Sequence, residues 1–171
     1  DRLGEQVASP LVNIELVAEH PQLPGASRLC SDGYAAENMT VIEQGVLKNF
    51  ILSRYGAART GFSRSGNYGG ATIFGSGETP LEELIAGVQK GILMGRFSGG
   101  SPSPAGDLSG VAKNSFLIEN GKVTKALSEV MISGNLADML RDVAAVSRER
   151  ECSGYWLLPW VRVQGVTISG K

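Results

Sequence analysis

The sequence has few of the residues from which hydrolytic and metal centres are built. Among its 171 residues there are one histidine, His20, and two cysteines, Cys30 and Cys152. A catalytic zinc needs about three protein ligands beside an open position, and a catalytic triad would have to use the same histidine. There is no Gly-x-Ser-x-Gly motif and no phosphate-binding loop of the Walker type. The residues alone therefore predict no catalytic residue, no metal ligand and no self-contained active site.

The two cysteines are too few and too far apart to indicate a disulfide framework. We predict two reduced, buried thiols, as is typical of a cytosolic protein. His20 precedes Pro21 in a proline-bearing stretch, so we predict a solvated loop residue rather than a ligand.

The chain also lacks an excess of charge and any long apolar run. Sixteen basic and seventeen acidic residues give a net charge of −1, which argues against a nucleic-acid-binding surface or a polybasic membrane anchor. No run approaches the ~20 apolar residues of a membrane helix, and no signal peptide opens the sequence. We therefore expect no direct nucleic-acid partner, no membrane contact and a cytoplasmic location. The chain begins at Asp1 rather than methionine, so we expect a fragment or a processed product.

What the sequence has in abundance is glycine. The 23 glycines are about twice the usual ~7%, and they are scattered among short apolar runs, which is typical of a turn-rich β protein. A hydrophobic content of 42% suffices for one sizeable core. We predict a single domain over residues 1–171. Its predicted fold is α+β, mainly antiparallel sheet with long hairpins and two packed helices.

Two dipeptides predict hairpins. Gln44-Gly45 separates the β-rich runs within 39–55, and Asn120-Gly121 separates two long predicted strands, Asp107–Glu119 and Val123–Ser133. Both residues of an Asn-Gly pair tolerate the positive φ of a type I′ turn. The remaining predicted strands are Leu11–Leu16, Ala71–Phe74, Ile92–Phe97 and Trp156–Ser169, the last with a β-bulge at Gly165.

Two helices are predicted from capping residues and apolar spacing. The first starts with Thr79 as N-cap, Pro80 at the first helical position and Glu82 completing a capping box, and it stops at Gly91. The second has Asn135 as N-cap. Its predicted buried stripe consists of Leu136, Met139, Leu140 and Val143.

Six blocks, in order along the whole chain, resemble the TldD/PmbA family. They are Leu3–Val12, Val41–Lys48, Ser65–Asn67, Gly106–Gly121, Ile132–Leu136 and Val166–Gly170. Proteins of this family are peptidase-related, are also named modulators of DNA gyrase, and are involved in peptide maturation. The resemblance implies that this chain is the C-terminal domain of a longer protein. In the TldD branch a zinc-binding His-Glu-x-x-x-His helix would precede the block that begins at Leu3.

The resemblance also indicates a branch. TldD-type chains carry a late Cys-Gly-Lys motif that supplies a third zinc ligand, whereas here Cys152 is followed by Ser153-Gly154, and the segment Gly106–Gly110 is similar to PmbA, also called TldE. The resemblance therefore implies the non-zinc-binding member of a dimer, with no cofactor in this fragment and zinc only in a TldD-type partner. The partners implied are a second TldD/PmbA-type subunit, in a hetero- or homodimer, and an unfolded or extended peptide. The family's usual residues after Asn67 are replaced here by Tyr68-Gly69-Gly70.

If this chain lines a peptide channel, we predict peptide contacts at Gly99, Gly100, Asp107 and Ser109. The loop 98–106 is rich in glycine and serine, so its backbone allows close approach, and Asp107 and Ser109 lie two apart on a strand and point to one face. An extended peptide would then pair with a strand edge. Alternatively, Asp107 only caps the turn before the hairpin. A different class of function also stays open, a non-catalytic assembly or regulatory module.

Overall fold

The computed structural model describes residues 2–128 and 130–170, which form two sheets and three short helices. The strands are β1 (Ile14–Val17), β2 (Met39–Glu43), β3 (Val46–Leu47), β4 (Ala71–Phe74), β5 (Lys90–Gly99), β6 (Asp107–Glu119), β7 (Lys122–Leu127), β8 (Val130–Asn135), β9 (Val143–Cys152), β10 (Trp156–Val163) and β11 (Thr167–Ser169). The helices are α1 (Arg54–Thr60), α2 (Leu81–Ala86) and α3 (Leu136–Arg141). The predicted sheet-dominated α+β class is confirmed.

The first sheet has the strand order β3-β2-β1-β4-β10-β9. All neighbours are antiparallel except β10 and β4, which are parallel. The Gln44-Gly45 hairpin is confirmed, with φ values of 48° and 78°. Strand β1 begins three residues later than predicted, because the Val12 N–H donates to the Ser9 carbonyl in a turn (2.9 Å) before the strand starts.

The second sheet has the order β11-β8-β6-β5, and β7 also pairs with β6. The Asn120-Gly121 turn is confirmed, with φ values of 50° and 74°. The long strand predicted after this turn is divided: β7 pairs with the second half of β6 and β8 with the first half. Asn114, at φ 48°, interrupts β6 between these two halves. Glu129, which the predicted strand includes, lies outside the described residues, as do Asp1 and Lys171.

The prediction of one strand over Trp156–Ser169 is wrong. Strand β10 belongs to the first sheet and β11 to the second, so Gly165 (φ 71°) lies in a crossing between sheets and not in a bulge. Strand β9 was not predicted at all. Val143, which was assigned to the second helix, is the first residue of β9 and packs in the core of the first sheet.

The expectation of two helices is also corrected, because a third helix, α1, begins at the end of the run predicted as strand and continues into residues 56–60, for which no element was predicted. The Ser53 hydroxyl accepts from the Gly56 N–H (3.1 Å), and Gly61 closes the helix at φ 78°. None of the residues of α1 is buried. These two capping residues are visible in the sequence, but the apolar residues before them favoured a strand.

Helix α3 begins as predicted, whereas α2 does not. The Asn135 side chain caps α3 by accepting from the Ala137 N–H (3.0 Å). Thr79 caps nothing: it pairs with Ser147 in a parallel bridge, and α2 starts at Leu81. Its first N–H donates instead to the carboxylate of Glu149 on β9 (2.9 Å). A capping group 68 residues away in sequence replaces the local one.

The core lies on both faces of the first sheet and on one face of the second. The largest cluster includes Val12, Leu16, Ile42 and Val146, with Leu140 of α3 packed against it. Cys30 is buried as predicted, but Cys152 is exposed, and both are free thiols. Within the described part of the chain, no helix is long and apolar enough to cross a membrane.

We predict that Glu149→Gln destabilises the protein in a pH-dependent manner. The backbone N–H groups of Glu149 itself and of Leu81 hold the pKa of the Glu149 carboxyl below its ordinary value. A lowered pKa stabilises the folded state above the pKa of the unfolded chain, and this stabilisation is lost as the pH falls through the folded value. Thermal unfolding should therefore show a lower melting temperature for Glu149→Gln at about pH 7, and a difference that vanishes towards about pH 3.

The matched control is Glu151→Gln, an exposed glutamate on the same strand without a recorded hydrogen bond of its side chain among the described residues. It should unfold like the unaltered chain at every pH. An equal loss for Glu149→Gln at both ends of the pH range would show that the carboxylate does not act as the cap.

Candidate functional site

The four predicted peptide contacts lie at one end of the second sheet. Gly99 ends β5, Asp107 begins β6, and Gly100 belongs to the loop that joins these strands. The antiparallel register places Gly99 opposite Gly110, next to Ser109 on β6. Because a short loop joins β5 to β6, all four residues lie at one corner of the sheet.

The two glycines have different surroundings. A Cβ at Gly99 would lie 2.6 Å from the Phe97 ring and 2.7 Å from the carbonyl oxygen of Ser109. Gly110 opposite is as crowded, with the same ring 2.5 Å from its Cβ position. Gly99 is thus required for packing beneath Phe97. A Cβ at Gly100 meets no atom within 4 Å, so the backbone there is open to an approaching ligand.

Asp107 is engaged in a network that fixes the loop. Its N–H donates to the Ser103 hydroxyl (3.1 Å), and its carbonyl accepts from the Ser103 N–H (2.8 Å). Its carboxylate accepts from the Asn135 amide (3.0 Å), which also donates to the Ala105 carbonyl (2.9 Å). The Ser103 hydroxyl caps this turn, and the Asp107 carboxylate supports it as an acceptor for the Asn135 side chain. Because the carboxylate remains exposed, this role does not prevent contact with a ligand.

Ser109 lies in a row of hydroxyl groups that the sequence did not reveal. It is directly opposite Ser133 on β8, and Ser133 is opposite Thr167 on β11. Residues that are directly opposite share a face of the sheet. None of these three hydroxyls has a recorded hydrogen bond within the described residues. Only the register of three strands distant in sequence could have identified Ser133 and Thr167 as neighbours of Ser109.

Strand β5 forms one outer edge of this sheet, and β11 forms another. At residues 107–112, strand β6 pairs with β8 on one side, and β5 and the Ser103 turn lie on its other side. Among the described strands, none pairs with the outer edge of β5. An extended chain that added to this sheet would therefore find main-chain partners on β5, which leads directly to Gly99 and Gly100.

The described residues do not bring together the ligands that a zinc ion needs. Nowhere in residues 2–128 and 130–170 do three or more His, Cys, Asp or Glu side chains come together as a metal ion would require. The His20 Nδ1 accepts from the Gln22 N–H (3.2 Å), and the Cys152 thiol donates to the Gln22 carbonyl (2.9 Å).

Comparison with known proteins identifies clear relatives. Residues 1–170 match the family model of the PmbA/TldA metallopeptidase C-terminal domain. The metalloprotease PmbA of Escherichia coli O157:H7 is 32% identical over 179 residues, which cover 96% of this chain and 38% of that protein. A metalloprotease of Methanocaldococcus jannaschii is 31% identical, with 91% and 37% covered.

Solved structures have the same fold. A crystal structure from Bacteroides thetaiotaomicron, named as a proposed modulator of DNA gyrase, matches with a TM-score of 0.87 at 30% identity, and covers all of this chain and 39% of that one. TldE from Thermococcus kodakarensis matches with a TM-score of 0.80 at 24% identity, over 99% of this chain and 42% of that one. This chain thus spans about two fifths of the length of the relatives it matches.

The two glycines of the site give a matched pair for testing its geometry. We predict that Gly99→Ala lowers the free energy of unfolding by about 1–3 kcal/mol, because the new methyl group meets a backbone carbonyl and a packed ring. Gly100→Ala should change it by less than about 0.5 kcal/mol, because the position is exposed and free of contacts. Chemical denaturation of both variants measures the difference. Equal stabilities would show that Gly99 is not confined by Phe97 and Ser109.

Proposed function

The chain belongs to the PmbA/TldD metallopeptidase C-terminal domain family, and from this premise we propose that it is part of a PmbA-type, non-zinc-binding subunit that shapes a peptide channel and holds its partner. The proposal places zinc in a TldD-type partner subunit. It also places the pair in the cytoplasm, where free thiols such as Cys30 and Cys152 persist.

The observation that carries this proposal is the corner where β5 ends. There an unpaired strand edge, the open backbone at Gly100 and a row of unengaged hydroxyls adjoin one another. An extended peptide offers N–H and carbonyl groups at regular spacing, and a strand edge pairs with them whatever the side chains are. The small, neutral hydroxyls leave room for many sequences. These features suit a channel that handles unfolded peptides of varied composition.

In this proposal the four residues have separate tasks. Gly100 allows the peptide backbone to come close as it leaves the outer edge of β5 and crosses the corner onto the face of β6, where the Ser109 hydroxyl donates to or accepts from it. Asp107 is a positioning residue, since its bonds to Ser103 and Asn135 hold the loop in place. Gly99 has no side chain to push β5 away from β6, so the outer edge of β5 extends up to the loop. Bond cleavage itself is assigned to the partner subunit.

A second candidate function is an assembly or regulatory module without a part in proteolysis. The exposed aromatic and aliphatic side chains at the start of β10 support it: Tyr155 is 60% exposed, Trp156 56% and Leu158 39%. Trp156 and Leu158 lie two apart on β10 and hence share a face, and aromatic residues are enriched in protein–protein interfaces. The structure from Bacteroides thetaiotaomicron is named a proposed modulator of DNA gyrase, which would be a regulatory function of this kind.

The test introduces Asp107→Asn and Ser109→Ala separately into the full-length protein, paired with its TldD-type partner. We expect Ser109→Ala to reduce cleavage of an unfolded peptide about tenfold at an unchanged melting temperature, as the loss of one hydrogen bond of about 1–1.5 kcal/mol implies. Asp107→Asn should lower both cleavage and the melting temperature, because the loop loses a charged acceptor. Cleavage rate and thermal unfolding are measured on the same preparations.

The control is Ser63→Ala, another exposed serine, which lies in the loop after α1 away from this corner. It should leave both quantities unchanged. Full cleavage by the Ser109 and Asp107 variants would remove these residues from the functional account and favour the assembly module.

A further inference from the structure

A groove of roughly 440 Å³ lies on the first sheet, apart from the corner described above. Its floor includes Ile73 and Gly75 at the end of β4, and Glu15 and Arg150 line its sides. One cross-strand row runs through Glu15, Ile73, Leu157 and Cys152, each opposite the next. Arg150 lies two residues before Cys152 on β9 and hence on the same face. The lining residues of the groove therefore come mainly from β1, from β4 and the residues that follow it, and from Arg150 on β9, whereas Leu157 of β10 is buried beneath this face.

The two ends of the groove carry opposite charges. Glu15 and Glu19 lie at the β1 end. Arg28 pairs with Glu19 and holds the pKa of that carboxyl below its usual range, so the charge of Glu19 is compensated and Glu15 is the anion available at this end. Among the described residues, neither Glu15 nor Arg150 has a recorded ion pair or side-chain hydrogen bond, and both side chains are exposed. An anion and a cation thus face the groove with their binding capacity unused.

Between these ends two carboxamides offer hydrogen-bond donors. The Asn13 Oδ1 accepts from the Gln44 N–H (2.8 Å), and the Asn38 Oδ1 accepts from the Ala18 N–H (2.9 Å). Both side chains are held by their oxygens, and both line the groove. The NH₂ group of each has no recorded partner among the described residues, so it is available to a carbonyl oxygen.

The length of the groove limits the ligand. Strands β4 and β10 separate β1 from β9, so three strand spacings and the two-residue offset of Arg150 from Cys152 place the Cα atoms of Glu15 and Arg150 about 16 Å apart. The two side chains shorten the gap between the charged groups. A peptide extends by about 3.5 Å per residue, so about two to four residues would bridge it.

We propose that this groove binds a short peptide with a free amino terminus and a free carboxyl terminus. Glu15 binds the terminal ammonium, Arg150 binds the terminal carboxylate, and the Asn13 and Asn38 amides donate to carbonyl oxygens between them. The apolar floor at Ile73 and the small Gly75 accept the side chains and backbone of the peptide. That such peptides would be products of cleavage rests on the proposed function; the binding itself does not.

The test titrates the isotope-labelled 171-residue chain with trialanine and follows the backbone amide signals by NMR. We expect saturable shifts at Asn13, Gly75 and Ser76, and binding about tenfold weaker for either N-acetylated or C-amidated trialanine, as the loss of one charge-assisted bond implies. Alanine alone, which is too short to bridge both ends, should also bind about tenfold weaker. Saturation without discrimination between free and blocked termini would overturn the proposal, as would the absence of saturable shifts.

Variants assign the two ends. Arg150→Gln should bind trialanine and its C-amide equally while still preferring a free amino terminus, and Arg150→Lys should restore the preference for the acid. Glu15→Gln should lose only the preference for a free amino terminus. If Arg150→Gln kept the full preference for the acid, the assignment of the carboxylate end would be wrong.

Matched controls lie outside the groove on the same sheet. Arg148 is on the same strand as Arg150, with its guanidinium 3.6 Å from the Glu149 carboxylate, and Glu43 pairs with Lys48 (3.0 Å). Arg148→Gln and Glu43→Gln should bind like the unaltered chain. None of these measurements needs zinc, a partner subunit or cleavage, so failure of the groove proposal would leave the proposed function untouched, and the reverse also holds.

Discussion

Strand β6 is the element on which the second sheet depends, because it is hydrogen-bonded on both sides over most of its 13 residues. Its first half lies between β5 and β8, and its second half between β5 and β7. The same pairing creates the candidate site. It sets Ser109 beside Ser133, and it brings the Asn135 amide to the Asp107 carboxylate, so that the cap of α3 and the loop before β6 form one network.

The last three strands of the chain complete both sheets. After α3, strands β9 and β10 complete the first sheet, and the crossing at Gly165 delivers β11 to the second. The two ligand-binding surfaces proposed for this chain consequently lie on different sheets. The corner at Gly100 suits the backbone of a long extended peptide, whereas the groove between Glu15 and Arg150 requires two free termini. The two proposals together assign long peptides to the corner and short peptides to the groove.

The sequence predicted what local geometry dictates. The turns at Gln44-Gly45 and Asn120-Gly121 need positive φ, and the Asn135 cap needs only its own helix. Prediction from the sequence failed where contacts between residues distant in sequence determine the structure. Glu149, 68 positions away, accepts from the first N–H of α2, and the helix starts at Leu81 instead of at the predicted Pro80. Strand β11 pairs with β8 and therefore belongs to a different sheet from β10. The four site residues were predicted from residue type and spacing. The difference between Gly99, which is confined by packing, and Gly100, which is open, depends on the register of β5 and β6 and is not visible in the sequence.

The central claim is that the loop at Gly100 touches an extended peptide in the assembled protein. A photo-crosslinking benzoylphenylalanine at position 100 of the full-length protein, paired with its TldD-type partner, tests this most directly with a labelled peptide that the pair cleaves. Position 55 in α1, where Tyr55 is 71% exposed, provides the control. The account predicts a crosslink to the labelled peptide from position 100 and none from position 55. Cleavage of the peptide with no crosslink from position 100, or with equal crosslinks from both, would contradict it.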